Sequence, residues 1–416
     1  MTPEPITVAR AIATFLRDQG ANSAFVVAGG ASLHLIHAFA NTPGCAYLPL
    51  HHEQSAAMAA DGFTRSSGRL GVAIATSGPG ATNLITGIAG CYYDSIPAIF
   101  ITGQVSTTRM VGPTGVRQIG FQETPIVGMV RPITKGAFAV LEKDDIRSIL
   151  EEAVWVATTG RPGPVVIDVP DDIQRQTVMW DELPSFTRPE FGAGDIRAQL
   201  ARVQAAISSA ERPVIVAGAG IVLSGAEKDF VSFAERWGAQ VVLTWAVPHL
   251  LPNGHPQRIG VFGTHGNRHA NVILQNADLV VSVGSRLDTK ATGSPVNTFA
   301  RGAVKVMVDI DPAELGKFEH FGLTMDELIE ADAGDFLRQA QALSFPAITP
   351  EWRAFCDSAE STCQPFDELM RVGPGNDPYE FMGRLGAAAP AELDVFVDTG
   401  CALPWMMTGF VPGPGQ

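Results

Sequence analysis

The regular alternation of short apolar runs with longer segments of helical period is what most limits the folds open to this chain. SAFVVAG (Ser23 to Gly29), LGVAIATSG (Leu70 to Gly78), AIFITGQ (Ala98 to Gln104) and PVVIDVP (Pro164 to Pro170) are rich in Val and Ile and have strand length. ITVARAIATFLRDQG (Ile6 to Gly20) and DIRSILEEAVWVATT (Asp145 to Thr159) carry their apolar residues at three- and four-residue steps, as amphipathic helices do. Nearly continuous apolar strands need cover on both faces, so the pattern predicts α/β architecture with doubly wound parallel sheets. It restarts after a polar, proline-containing stretch, Asp171 to Asp195, in RPVIVAGAG, AQVVLTW, ADLVVSVGS and AVKVMVDID. A second loose stretch, Phe345 to Asp377, precedes a helix candidate from Tyr379 and one more predicted strand, DVFVDTG (Asp394 to Gly400). The expected domains are therefore 1–175, 190–345 and an incomplete third at 375–416.

Composition narrows the function. A chain of 416 residues, 46% of them hydrophobic, can bury sizeable cores. No run approaches the roughly 18 to 20 apolar residues of a spanning helix. The start has no basic end followed by an apolar core, so a cytoplasmic protein is expected. Five scattered cysteines without a CxxC pair support neither a disulfide framework nor a metal site. A net charge of −14 without a basic block argues against nucleic-acid or membrane partners. An enzyme acting on small molecules fits better. No P-loop and no complete GxGxxG is present, and the glycines of AGAGIVLSG alone do not rise above ordinary strand-to-helix turns.

More specific signals occur in order along the first half. His52-Glu53-Gln54, Ala60-Asp61-Gly62-Phe63-Thr64-Arg65 and Thr76-Ser77-Gly78-Pro79-Gly80-Ala81-Thr82-Asn83 resemble the pyrimidine-binding domain of thiamine-diphosphate enzymes, in particular the acetolactate synthase group. The likeness continues through Asp94-Ser95-Ile96-Pro97, Gly103-Gln104-Val105, Phe121-Gln122-Glu123 and Gly160 to Val165. It reaches the middle domain in Gly284 to Asp288 and Asp309 to Glu314. The resemblance implies thiamine-diphosphate-dependent decarboxylation and carboligation of pyruvate or a related 2-oxo acid. Glu53 would be the carboxylate that hydrogen-bonds the cofactor's aminopyrimidine and moves the proton that leads to the ylid. Pro79 and Asn83 would line the cofactor pocket, Phe121 and Gln122 would face the 2-oxo acid, and Lys135 would lie near the same entrance. Arg161 and, in the middle domain, Gly218, Gly220, Thr244, His265, Gly266, Gly284, Arg286, Asp309 and Asp332 match positions that hold FAD in acetolactate synthases and ADP, or nothing, in other relatives.

The chain also departs from that pattern. Arg286-Leu287-Asp288-Thr289-Lys290 stands where the family typically reads Arg-Phe-Asp-Asp-Arg, and Cys401-Ala402 where Gln-His is common. The link from Thr107 to Gly120 into Phe121-Gln122-Glu123 is longer than usual, which opens the choice of substrate. The Gly-Asp-Gly segment and downstream Asn that hold Mg²⁺ and the diphosphate in this family do not occur. The Mg²⁺ ligands are therefore expected outside this chain, supplied by a continuation of it or by a companion chain carrying the diphosphate-binding domain. A homo-oligomer or such a hetero-oligomer is expected. Other readings are a 2-hydroxyacyl-CoA lyase or oxalyl-CoA decarboxylase, and a non-catalytic subunit of a split enzyme.

Overall fold

The computed structural model describes residues 4–189, 194–363, 377–410 and 412. The chain divides into two compact units, Met1–Glu190 and Phe191–Gln416.

The first unit is built on β1 (Ser23–Val26), β2 (Ala46–Pro49), β3 (Gly71–Ala75), β4 (Ala98–Gln104), β5 (Gly136–Ala139) and β6 (Val165–Pro170). They form one parallel sheet in the order β2-β1-β3-β4-β6-β5. In β3, Val72 and Ile74 join a core cluster with Ile12 and Leu16 of the Val8–Asp18 helix and Leu150 of the Ile146–Thr158 helix, while Ala73 and Ala75 are equally buried on the other face. Each fully buried Ile or Leu stabilises the unit by about 1.5–3 kcal/mol. Helices thus cover both faces, as the apolar runs predict. The chain reverses its direction of travel across the sheet between β1 and β3, where ligands commonly bind in such folds.

The second unit repeats this plan with β7 (Pro213–Ala217), β8 (Gln240–Leu243), β9 (Arg258–Val261), β10 (Leu279–Val283), β11 (Val304–Asp309) and β12 (Glu327–Glu330). The six parallel strands run β9-β8-β7-β10-β11-β12, with the reversal between β7 and β10. Phe230, Phe233, Trp237 and Phe336 fill one side of the sheet, and Phe262, Phe299 and Phe318 the other.

Toward the end of the second unit, the helix expected from Tyr379 forms at Pro378–Ala388 and packs against Ala402–Gly409. The predicted strand Asp394 to Gly400 does not form. These residues pair with no strand among the described residues, and Phe396 stays exposed. A strand-like sequence needs a neighbouring edge to satisfy its backbone groups, and among the described residues no strand pairs with it. Among the described residues, no helix is long and apolar enough to cross a membrane.

Candidate functional site

In the first unit the motif residues gather at the carboxyl ends of the strands, around the β1/β3 reversal. Glu53 opens the Glu53–Ser67 helix, where the preceding His52 acts as cap and its Nδ1 accepts the amide of Gln54 at 3.1 Å. The half-buried Glu53 directs Oε2 at Asn83, whose Nδ2 donates at 2.9 Å. Among the described residues Oε1 takes no hydrogen bond. Gly80 explains why this end stays open: a Cβ there would sit 3.3 Å from Glu53 Oε1 and 2.7 Å from Thr76 Cγ2. Pro79 begins the Pro79–Asn83 helical turn that carries both Gly80 and Asn83. Thr76 also ties the site to the Gly30–Ser32 turn that follows β1, because its Oγ1 accepts the amide of Ala31 at 3.2 Å.

Gln122 reaches the same place through its backbone. It adopts a left-handed φ of 62°, and a Cβ on Gly78 would meet Gln122 Cβ at 2.7 Å. Phe121 beside it is 85% exposed, an apolar ring held in solvent. Beneath this loop lies a polar triad that the motif reading does not single out. Asp168 in β6 accepts Thr102 Oγ1 at 2.6 Å and Gln104 Nε2 at 3.0 Å, and the same Nε2 donates to the Thr124 carbonyl at 2.9 Å. Burial pushes the Asp168 carboxyl up to about 7, against the opposing pull of those two donors.

The structure does not bring Lys135 to this cluster. Lys135 directly precedes β5, its amide donates to Pro164 just before β6, and its Nζ donates to Thr159 at 2.6 Å. That is the amino-terminal end of the sheet, whereas Glu53, Gly80 and Gln122 are at the other. A seven-residue strand such as β4 separates the two ends by about 20 Å. Burial lowers the Lys135 amine to about 8. Arg161 shares that end, with Nε donating to Ser95 Oγ at 2.8 Å. Asp61, Arg65 and Asp94 of the quoted motifs form an ion-pair network, with distances of 2.6 and 2.8 Å, that joins two helices. Their work is structural.

In the second unit, Gly218, Gly220, Thr244, His265, Gly266, Gly284, Arg286, Asp309 and Asp332 occupy the carboxyl ends of all six strands, or the loops that follow them. The glycines meet at the reversal between β7 and β10. The Gly220 amide donates to the Gly284 carbonyl at 2.9 Å, and a Cβ on Gly218 would lie 2.2 Å from that oxygen. Beside them, the buried Thr244 Oγ1 has no hydrogen-bond partner among the described residues. Asp309 accepts the amide of Asp311 at 3.0 Å, and Asp332 caps the Ala333–Ala340 helix. Arg286 pairs with Asp288 at 3.5 Å. A tight glycine crossing with an unsatisfied buried hydroxyl at a sheet reversal can receive the polar groups of a nucleotide.

Comparison with known proteins agrees with this layout. Residues 6–126 match the thiamine pyrophosphate enzyme N-terminal TPP binding domain, and residues 200–340 match the central domain of the same enzymes. The chain is similar to the acetolactate synthase large subunit of Lactococcus lactis, 39% identical over 76% of this chain and 54% of the relative. It is similar to acetolactate synthase 1, chloroplastic, of Zea mays at 41% over 72% of this chain and 46% of the relative. With the acetolactate synthase isozyme 3 large subunit of Escherichia coli the figures are 34%, 88% and 60%. The chain thus spans about half the length of the curated relatives it matches. Two matched domains in order, each with its motif residues at the carboxyl ends of a parallel sheet, show that the chain belongs to the thiamine pyrophosphate enzymes.

Proposed function

We propose that this chain serves in thiamine-diphosphate-dependent decarboxylation and carboligation of pyruvate or a related 2-oxo acid, as an acetolactate synthase-type enzyme. The observation that carries the proposal is the Glu53 carboxylate, fixed by Asn83 on one oxygen and open on the other beside the side-chain-free Gly80. That arrangement suits one edge of a flat heteroaromatic ring. Bound there, the cofactor supplies a thiazolium that stabilises the carbanion left by decarboxylation. Glu53 holds and moves a proton at Oε1, while Asn83 prevents the carboxylate from turning away. Pro79 sets the turn, and Gln122 faces the 2-oxo acid and orients it. Among the described residues no group of three or more His, Cys, Asp or Glu lies together as a candidate metal site. Exposed Met58, Tyr92 and Tyr93, on the Glu53–Ser67 and Ile85–Asp94 helices, support a homo-oligomer or a companion chain.

In the second unit the orphan Thr244 hydroxyl and the Gly218, Gly220 and Gly284 crossing fit FAD or ADP, with Arg286 toward its phosphates. Heat release of the purified protein should yield one of these nucleotides near stoichiometry; finding neither, even after supplying both, leaves the second unit as packing alone. For the first unit, calorimetric titration with thiamine diphosphate and Mg²⁺, followed by product analysis with pyruvate, is the test. Turnover of acyl-CoA substrates in place of free 2-oxo acids would move the protein to another branch of the family.

A further inference from the structure

The long link before Phe121-Gln122-Glu123 has an unusual means of support. From Gly112 to Ile119 every residue is exposed, including Val116 and Ile119, so apolar burial does not hold this stretch in place. Its start is pinned where Thr107 donates through its amide and hydroxyl to Asp172, at 3.0 and 2.6 Å. Its far end converges on one carboxylate. Glu123 Oε1 accepts the amide of Val111 at 2.5 Å, and Oε2 accepts those of Ile119 at 3.1 Å and Gly120 at 3.3 Å. The Glu123 backbone closes the ring: its amide donates to Gly120 at 3.1 Å, and its carbonyl accepts Gln118 Nε2 at 3.0 Å. Hydrogen bonds from N–H groups to an ionised carboxylate are roughly twice as strong as neutral ones.

We propose that Glu123 is the positioning residue of the substrate entrance: by gathering the amides of Val111, Ile119 and Gly120 it fixes the link so that Gln122 is held against Gly78. The inference rests on the reading of Gln122 as a residue facing the 2-oxo acid. Gln122 needs such a brace, because a left-handed conformation is strained for a non-glycine residue and persists only where its surroundings impose it. Gly78 completes the fit, since any side chain there would collide with Gln122 Cβ. Glu123 acts through its neighbours and touches neither cofactor nor substrate in this role.

The experiment uses the full chain without cofactor or substrate, so its outcome is separate from that of thiamine diphosphate binding. Glu123→Gln keeps the size of the side chain but turns an amide group toward backbone N–H donors; Glu123→Ala removes all three acceptor contacts. Both should raise the rate of tryptic cleavage after exposed Arg117 by about tenfold. Amide resonances of Val111, Ile119 and Gly120 should shift upfield, and those of Gln122 and Gly78 should move with them, while β3 and β4 keep their resonances. Unchanged cleavage overturns the proposal. So does a loosened link with Gln122 and Gly78 unmoved, which would make Glu123 a local brace with no reach into the site. If Glu123→Ala proves unfolded, the near-isosteric Glu123→Gln decides alone.

Discussion

The two units place their candidate sites at the same point of the same architecture, the reversal of a six-stranded parallel sheet, yet build them from opposite materials. In the first, side chains supply the polar groups: Glu53 with Asn83, and Asp168 with Thr102 and Gln104. In the second, backbone does: glycines press Gly218 and Gly220 onto Gly284, and one hydroxyl waits unpaired. A shared fold supplies a crevice, and what fills its walls decides whether the crevice can move protons or only hold a ligand.

The contrast is open to direct attack. Gly218→Ala should damage the second unit most, because its Cβ would meet backbone atoms of Gly284 and Ser285 at 2.2 to 2.5 Å that have nowhere to go. A loss of about 3 kcal/mol is expected by chemical denaturation, and a variant as stable as the parent would show that the crossing is not tight. Glu53→Gln should leave both units folded but slow C2 proton exchange of bound thiamine diphosphate by about a hundredfold, some 2.7 kcal/mol. Exchange at the parent rate in a cofactor-loaded variant removes Glu53 from catalysis. Thr244→Val should stabilise the nucleotide-free protein by about 1 kcal/mol, since an unsatisfied hydroxyl is replaced by a methyl group, and should weaken nucleotide retention. Destabilisation in thermal melts would mean that the hydroxyl already has a partner. Asp332→Asn should change stability by less than about 0.5 kcal/mol, because Asn caps a helix as well as Asp. A fall in bound nucleotide at unchanged stability then separates ligand contact from capping.

What the sequence discloses follows burial. Eight of the nine strands anticipated from apolar runs are found, and they are the interior strands of the two six-stranded sheets; the ninth, Asp394 to Gly400, does not form. The other four strands of those sheets, Ala46–Pro49, Gly136–Ala139, Arg258–Val261 and Glu327–Glu330, were not anticipated and are the four edges; the two-residue pair Ile6–Thr7 and Thr177–Val178 was not anticipated either. An edge strand has one neighbour and partial cover, so AYLP or ELIE needs no Val/Ile run and leaves no such signal. The Glu53–Asn83 contact spans 30 residues and was legible only as two motifs in order. The remote position of Lys135 was not legible, because Gly136–Ala139 is one of the unanticipated edge strands and nothing in the sequence put Lys135 at its amino-terminal end. Nor was the role of Glu123, whose partners are backbone amides that look alike in any sequence.

Asp168 has a consequence for the unit as a whole. An unfolded aspartate gives up its proton near about pH 3.9, whereas the folded one keeps it to about pH 7. Between those limits the first unit is a proton sink: folding draws a hydrogen ion from the buffer, and unfolding returns it. The sign follows from linkage. Because the folded pKa is the higher, this group's contribution to stability is fully present below about pH 4 and is lost as pH rises through 7. Above that, the carboxylate is buried as an anion with Thr102 and Gln104, its partners among the described residues, to receive its charge. Gln104 is also the donor to Thr124, so the amide that receives part of this charge is the same one that holds the backbone just after Glu123.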